Sequence, residues 1–335
     1  MNSNESPPAR LMKFIVGRWI SKPIYVVAEL GIADRLAEGP KSIQELAQES
    51  QTHAPFLYRT LRALASVGIF SENEERKFEL TPMAELLKTG AMRSMAQMFN
   101  SEWSDKAWGY FLDSLKTGET PFEKAHGMPV TDWLEKNPQA ARVFNEANTI
   151  KAAVSHRAIV DAYDFSGVRT LTDVGGGTGL LTVEILTANP SMEGIILDLP
   201  SVIKETKEII RARGIESRCQ AMECDFFNHM PSGSDTYLLS NILHDWPDDK
   251  CHRILTNCYK AMKADSKLLV MEMIIPPGNE PSVAKLLDLE MLVTTGGRER
   301  TEAEYKEIFE LAGFKLTRLI PTEENVCIIE GIKED

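Results

Sequence analysis

Metal and disulfide frameworks find little support in this chain. Its five cysteines (Cys219, Cys224, Cys251, Cys258, Cys327) form no C-x-x-C pair. Free thiols in a reducing cytoplasm are therefore the expectation. The six histidines show no ligand spacing. No run approaches about 20 apolar residues, and the N-terminus lacks an apolar core followed by a cleavage site, so neither a membrane span nor an export signal is expected. Positive charge is in deficit: 37 Lys and Arg against 49 Asp and Glu leave a net charge of −12. That argues against nucleic acid and membrane as partners, since both need a basic surface. Internal repeats and low-complexity segments are also lacking. What remains is 335 residues, 43% hydrophobic and 26% charged, a globular composition with room for two domains.

Residues 1–100 read as helical. In "SIQELAQES" Ser42 suits an N-cap, with Ile43, Leu46 and Ala47 on one face. "APFLYRTLRALASVGI" places Leu57, Thr60, Leu61 and Leu64 at helical spacing and closes on Gly68. "IFSENEERKFEL" reads as a hairpin, after which Thr81 and Pro82 suit N-cap and N1 of another helix. Helix, helix, hairpin is the order of a winged helix. DNA binding is the rival use of such a unit, but its second helix offers only Arg59 and Arg62. Dimerisation is favoured, because "LMKFIVGRWISKPIYVVAEL" is more apolar than a lone surface helix needs. Residues 101–165 read as helices carrying Trp103, Trp108, Trp133 and Phe144, a density that suits core or the wall of a pocket for a flat molecule.

Over residues 166–335 the pattern changes. "RTLTDV", "EGIILDL", "SRCQAMECD", "SDTYLLSN", "KLLVMEMI", "FKLTRLI" and "NVCIIEGI" are short apolar runs, most of them separated by helical stretches. One such stretch, 247–262, has Pro247 suited to N1, Asp248 and Asp249 in its first turn, and Cys251, Ile254, Leu255, Cys258 and Met262 on one face. Alternating strands and helices predict an α/β, Rossmann-like, doubly wound parallel sheet with its ligand site at the carboxyl ends of the strands.

The first strand ends in Asp173-Val174-Gly175-Gly176-Gly177-Thr178-Gly179. Glycine permits positive φ and close approach to bare backbone, and a helix N-terminus favours anionic groups. The glycines at 175, 177 and 179 do not keep the G-x-G-x-x-G spacing of dinucleotide folds. Asp198 follows 23 residues after Gly175, at the end of the second strand, where a carboxylate can accept both ribose hydroxyls. Asp225 ends the third with Phe226 beside it, an acceptor for an adenine amino group and a ring to cover the base. Acids at three successive strand ends describe a pocket for S-adenosylmethionine better than one for a dinucleotide.

The fourth strand runs into "LLSNILHDWPDD". Methyl transfer from a sulfonium to a hydroxyl needs a base, and a neutral imidazole near its unperturbed pKa of about 6.5 suits that task, which points to His244. Candidates to hold its tautomer are Glu272, at the end of the fifth strand, and Glu299 in "GGRERT".

"DVGGGTG", "LDLPSVI", "CDFF", "LHDWPDDKC" and "GGRERTEAEY", in that order, resemble the small-molecule O-methyltransferases that include plant caffeate- and flavonoid-type enzymes, hydroxyindole O-methyltransferase and bacterial polyketide-tailoring relatives. The resemblance covers nearly the whole chain and extends to that family's winged-helix dimerisation domain. It implies that Gly175 and its neighbours bind the cofactor's methionine part, that Asp198 takes the ribose with Leu199 near the adenine, and that Asp225 and Phe226 hold the adenine. It also implies His244 as general base flanked by Glu272 and Glu299, with Phe144 and Met291 lining the acceptor pocket. The chain departs from plant relatives in three places: Ser240 stands where they often carry lysine, Asn148 where a pocket methionine is common, and the stretch from Met291 to Glu299 is one residue shorter. A bacterial or similar relative is therefore expected rather than a plant phenylpropanoid enzyme. The expected protein is a cytoplasmic homodimer that methylates a hydroxyl, expected to be phenolic, of an aromatic small molecule without a metal. The alternative within the same fold is a protein that binds the cofactor but hydroxylates, decarboxylates or cyclises its substrate.

Overall fold

The computed structural model describes residues 6–334. Two compact units share them: one takes the chain up to Lys106 together with Thr131–Ile150, the other takes Ala107–Val130 and the chain from Lys151 onward. The stretch 101–165 is thus divided between both units.

In the first unit the helix Ile43–Ser50 starts at Ser42, whose hydroxyl accepts from the Glu45 amide while the Glu45 carboxylate reaches back to the Ser42 amide, a complete capping box. The helix Ala54–Ala65 buries Leu57, Leu61 and Leu64, three residues at 3.6-residue spacing. Three short strands follow the expected hairpin: β1 (Lys41–Ser42), β2 (Phe70–Glu72) and β3 (Lys77–Leu80), with β3 central and both pairings antiparallel. Thr81 caps a short helix that opens with Pro82. This helix–helix–hairpin order is compatible with a winged helix. Ahead of it lie two helices, Pro7–Ile15 and Arg18–Glu29.

The second unit is built on a seven-stranded sheet: β4 (Thr170–Val174), β5 (Glu193–Asp198), β6 (Cys219–Glu223), β7 (Thr236–Ser240), β8 (Lys267–Met273), β9 (Phe314–Pro321) and β10 (Val326–Lys333), in the order β6-β5-β4-β7-β8-β10-β9. All seven strands fall on the apolar runs of the sequence. Their side chains alternate between two cores, with Tyr237, Leu239, Leu268 and Val270 on one face and Leu238, Leu269 and Met271 on the other. Helices Asp248–Ala261 and Glu302–Leu311 cover the first face, and Leu180–Ala188 and Pro200–Ala212 pack on the second. Pro247 sits one place earlier than expected, as N-cap rather than N1.

The sheet is not wholly parallel. β4 to β8 are parallel, but β10 inserts antiparallel between β8 and β9. Residues 322–325 are all that join β9 to β10, far too short for a parallel crossover, so a hairpin is forced. Among the described residues no helix is long and apolar enough to cross a membrane, and all five cysteines are free thiols.

Candidate active site

The strand order brings the carboxyl ends of β6, β5, β4, β7 and β8 to one edge, and Gly175, Asp198, Asp225, Ser240, His244 and Glu272 stand at or just beyond those ends. The glycine turn leaves β4 and is tied to its neighbour by the amides of Gly175 and Gly176, which donate to the Leu197 carbonyl at 2.8 and 3.1 Å. Gly177 donates to Asp198 Oδ2 at 2.8 Å, and Leu199 donates to Oδ1 at 2.7 Å. Burial pushes the Asp198 carboxyl up, against those two bonds.

The glycines have two different reasons to be there. A Cβ on Gly175 would strike Ile242 Cδ1 at 2.5 Å, and one on Gly176 would meet Asp173 Oδ2 at 2.6 Å, so the protein's own packing demands them. Gly177, with φ +57°, would meet nothing within 4 Å. Only there does the bare backbone face open space. The helix Leu180–Ala188 starts at Gly179 with no side-chain cap, leaving its first-turn amides free for an anionic group. Asp173 lies beneath the turn rather than on its open side: it is 1% exposed, and Thr182 donates to its Oδ2 at 2.6 Å. Burial pushes its carboxyl up to about 7, and the nearby Asp198 charge adds to this while the Thr182 bond opposes it.

Asp225 is exposed just past β6 and accepts from the Phe227 amide and the Asn228 side chain. The Phe226 ring lies 3.3 Å from where a Gly175 Cβ would sit and meets Trp246 edge-on at 6.4 Å. Leu199 is half-exposed beside Asp198, and Ser240 is the last residue of β7. Open space over Gly177, uncapped amides, a carboxylate at Asp198 and a ring at Phe226 fit the methionine, ribose and adenine parts of S-adenosylmethionine.

Beyond Ser240 the chain turns through Asn241, which takes a left-handed φ of +53°, tolerated by Asn, and enters a short 3₁₀ turn, Leu243–Asp245. His244 sits in that turn, 5% exposed. Its Nδ1 is 2.8 Å from Glu299 Oε1 and 3.5 Å from Glu272 Oε2, and its Nε2 is 3.8 Å from Asp245 Oδ1. Glu272, fully buried at the end of β8, accepts the amides of Ile242, Leu243 and His244 on Oε1 at 3.0, 2.8 and 3.4 Å. One oxygen of each glutamate, Glu272 Oε2 and Glu299 Oε2, has no hydrogen-bond partner. Burial disfavours the imidazolium, but the Glu272, Asp245 and Glu299 carboxylates outweigh it, and the His244 pKa is raised to about 9. Burial raises the Glu272 carboxyl, with the His244 charge opposing. Ligand atoms of His244, Glu272 and Glu299 lie within 4.8 Å of one another. The 2.8 Å Nδ1–Oε1 contact is a hydrogen bond, and the backbone amides already claim Glu272 Oε1.

His244, Glu272 and Glu299, drawn from three separate segments, thus meet as the sequence suggested. Phe144 and Asn148 lie half-buried on the part of the helix Pro138–Ala162 that belongs to the first unit, whereas Met291 lies on Val283–Thr294 in the second. Three residues of the His244 turn's surroundings were not singled out in the sequence: Asn241, Asp245 and Arg300. Asp248 was read as a first-turn acid of its helix, as it is, but not as the partner of Arg300.

Comparison with known proteins bears on this arrangement. Residues 108–315 match the O-methyltransferase domain, and residues 12–90 match the O-methyltransferase dimerisation domain. The chain is 43% identical over 324 residues to the phenazine O-methyltransferase PhzM of Lysobacter antibioticus, covering 96% of this chain and 95% of that protein. It superposes on the crystal structure of LaPhzM with a TM-score of 0.93 at 42% identity, covering 98% and 100% of the two chains. Human N-acetylserotonin methyltransferase in complex with S-adenosylmethionine gives 0.88 at 26% identity over the full length of both chains.

Proposed function

The chain belongs to the O-methyltransferase family and is an S-adenosylmethionine-dependent methyltransferase, and from that premise we propose that it methylates a phenolic hydroxyl of an aromatic small molecule with His244 as general base. The observation that carries this reading is the 2.8 Å contact between His244 Nδ1 and Glu299. A carboxylate can only accept, so Nδ1 carries the proton and Nε2 is the basic atom of the neutral ring.

S-adenosylmethionine supplies an electrophilic methyl group on a sulfonium. The backbone at Gly177, the free amides of Leu180–Ala188, Asp198, and Asp225 with Phe226 would hold it, with Leu199 and Ser240 beside them. His244 Nε2 takes the hydroxyl proton as the oxygen attacks, and Glu299 and Glu272 stabilise the imidazolium that forms. A pKa of about 9 serves this task in one respect. Phenols titrate near 10, so proton transfer is nearly balanced, whereas an imidazole near 6.5 would lie about three units uphill. It costs population in return, since roughly 1% of such imidazoles are neutral at pH 7. Relatives named for phenazine and N-acetylserotonin support an aromatic acceptor. Met291, in the same unit as His244, is its proposed contact.

Two copies are proposed to pair through the first unit. The match to a dimerisation domain supports this, as do Leu11, Met12, Phe14, Ile15 and Trp19, each at least 55% exposed on the first two helices. A cytoplasmic location accords with five free thiols.

The test is transfer of labelled methyl from the cofactor to a panel of phenols. His244→Gln is expected to lower turnover roughly 10²- to 10⁴-fold with cofactor affinity retained. Full activity of that variant would remove His244 from the mechanism. Cofactor binding with no methylated product across a broad panel would favour non-methylating chemistry.

A further inference from the structure

The His244 turn is held from two sides. Glu272 gathers its amides, as described, and Arg300 gathers its carbonyls. The Arg300 side chain is completely buried. Its Nη1 donates to the Leu243 carbonyl at 3.0 Å and to the Arg298 carbonyl at 3.3 Å. Nη2 donates to the Trp246 carbonyl at 3.0 Å and to Asp248 Oδ1 at 2.6 Å, and Nε reaches the same Asp248 oxygen at 3.1 Å. Of the two carbonyls between those anchors, that of His244 accepts from the Arg298 amide at 2.9 Å. Gly297 makes that approach possible, because a Cβ there would lie 2.0 Å from the His244 oxygen.

We infer that Arg300 is the positioning residue for His244: its planar fork fixes the 243–246 turn, and so the direction in which the imidazole meets Glu299. A guanidinium presents five N–H donors in one plane, and here carbonyls and a carboxylate on three sides meet them. An ammonium has three donors on one atom and cannot span Leu243, Trp246 and Asp248 together. Arg300 is also anchored at its own backbone, whose carbonyl accepts from Ile275 at 2.9 Å just past β8. The clamp is therefore continuous with the strand that carries Glu272. A displacement of about 1 Å at a reacting group can cost on the order of 10²-fold in rate, so the turn's register matters to the chemistry.

The inference rests on His244 being the base, and the experiment separates the two. Arg300→Lys keeps the charge and loses the fork. Asp248→Asn removes the charge partner at a half-exposed side chain and opens no cavity, so it remains informative if the lysine variant does not fold. In each, the imidazole of His244 is followed by ¹H–¹⁵N NMR, and kcat and KM are measured alongside cofactor affinity. The expected result is a weakened or shifted Nδ1–H resonance, a kcat lowered roughly 10- to 100-fold, and KM and cofactor affinity within about threefold of wild type. Guanidinium ion added to Arg300→Ala is expected to recover part of that loss. An unchanged imidazole resonance in folded variants overturns the inference, whatever happens to the rate. A displaced resonance with unchanged kcat upholds the clamp and overturns His244 as base.

Discussion

Glu272→Gln isolates one charge in the buried cluster. The side chain keeps its shape, and its remaining oxygen can still accept the three amides of the 3₁₀ turn. What disappears is a negative charge 3.5 Å from His244 Nδ1, the largest single influence raising that pKa. An opposite charge at such range is worth about 1–3 pKa units. The substitution is therefore expected to bring His244 down by that amount from about 9. The sign follows for the rate. The proton-accepting form appears at lower pH, so the acid limb of the kcat profile moves down by the same amount, while the plateau falls because a weaker base meets the phenol. It follows for stability too. A histidine raised in the folded state contributes stability that is fully present below about 6.5 and is lost as pH rises through about 9, and the variant should lose less across that window. Titration of the His244 ring by ¹H–¹⁵N correlation from pH 5.5 to 10.5, beside the pH–rate profile, measures both. Adding the cationic cofactor should lower the wild-type midpoint, and adding its uncharged demethylated product should not. A wild-type ring that titrates near 6.5, or a variant ring that titrates where the wild type does, would refute the reasoning.

Two further outcomes are expected. Asp198→Ala removes the carboxylate that accepts the Gly177 and Leu199 amides, so cofactor binding should weaken on the order of tenfold or more by calorimetry, with kcat at saturating cofactor less affected. Phe14→Glu with Trp19→Glu places charge on side chains 69% and 74% exposed, and sedimentation should find more monomer at micromolar concentration, whereas an unaltered assembly would locate the interface elsewhere.

How legible this protein is in its sequence depends on the range of the interaction. Local signals carried through: Ser42 caps its helix, Thr81 and Pro82 open theirs, and all seven strands of the large sheet lie on apolar runs. His244 and Glu272 were also visible, because each stands at or just beyond a place where strand pattern gives way, whereas Glu299 was reached through the "GGRERT" stretch. The antiparallel insertion of β10 was missed although its cause, the short link at 322–325, was in plain view. The pairing of Arg300 with Asp248 was missed for a different reason. The two are 52 residues apart, and no periodicity connects them. The glycine turn was read with the correct conformational need but an incomplete motive. Gly177 needs its positive φ and faces open space, whereas Ile242 and Asp173 also crowd Gly175 and Gly176.

The segment Arg298-Glu299-Arg300 shows why the His244 cluster needs these charges in this order. Arg300 pairs with Ile274 in a parallel bridge, so the segment runs extended at the end of β8. In an extended chain successive side chains point to opposite sides. Arg298 and Arg300 accordingly both reach Asp248, the first residue of the helix that follows the His244 turn, while Glu299 between them reaches His244. Shifting this segment by one residue would set a guanidinium against the buried imidazole and a carboxylate against the half-exposed Asp248, two like-charge contacts in place of two opposite-charge ones. The register that satisfies the arginines is thus the register that orients the histidine. Arg298 also bonds Glu304, which completes the capping box of the next helix with Thr301, so that helix start helps to hold the segment in line. The imidazole owes its fixed tautomer, and the part of its raised pKa that Glu299 adds to the larger influence of Glu272, to this piece of backbone, and any change that loosens the segment should disturb both together.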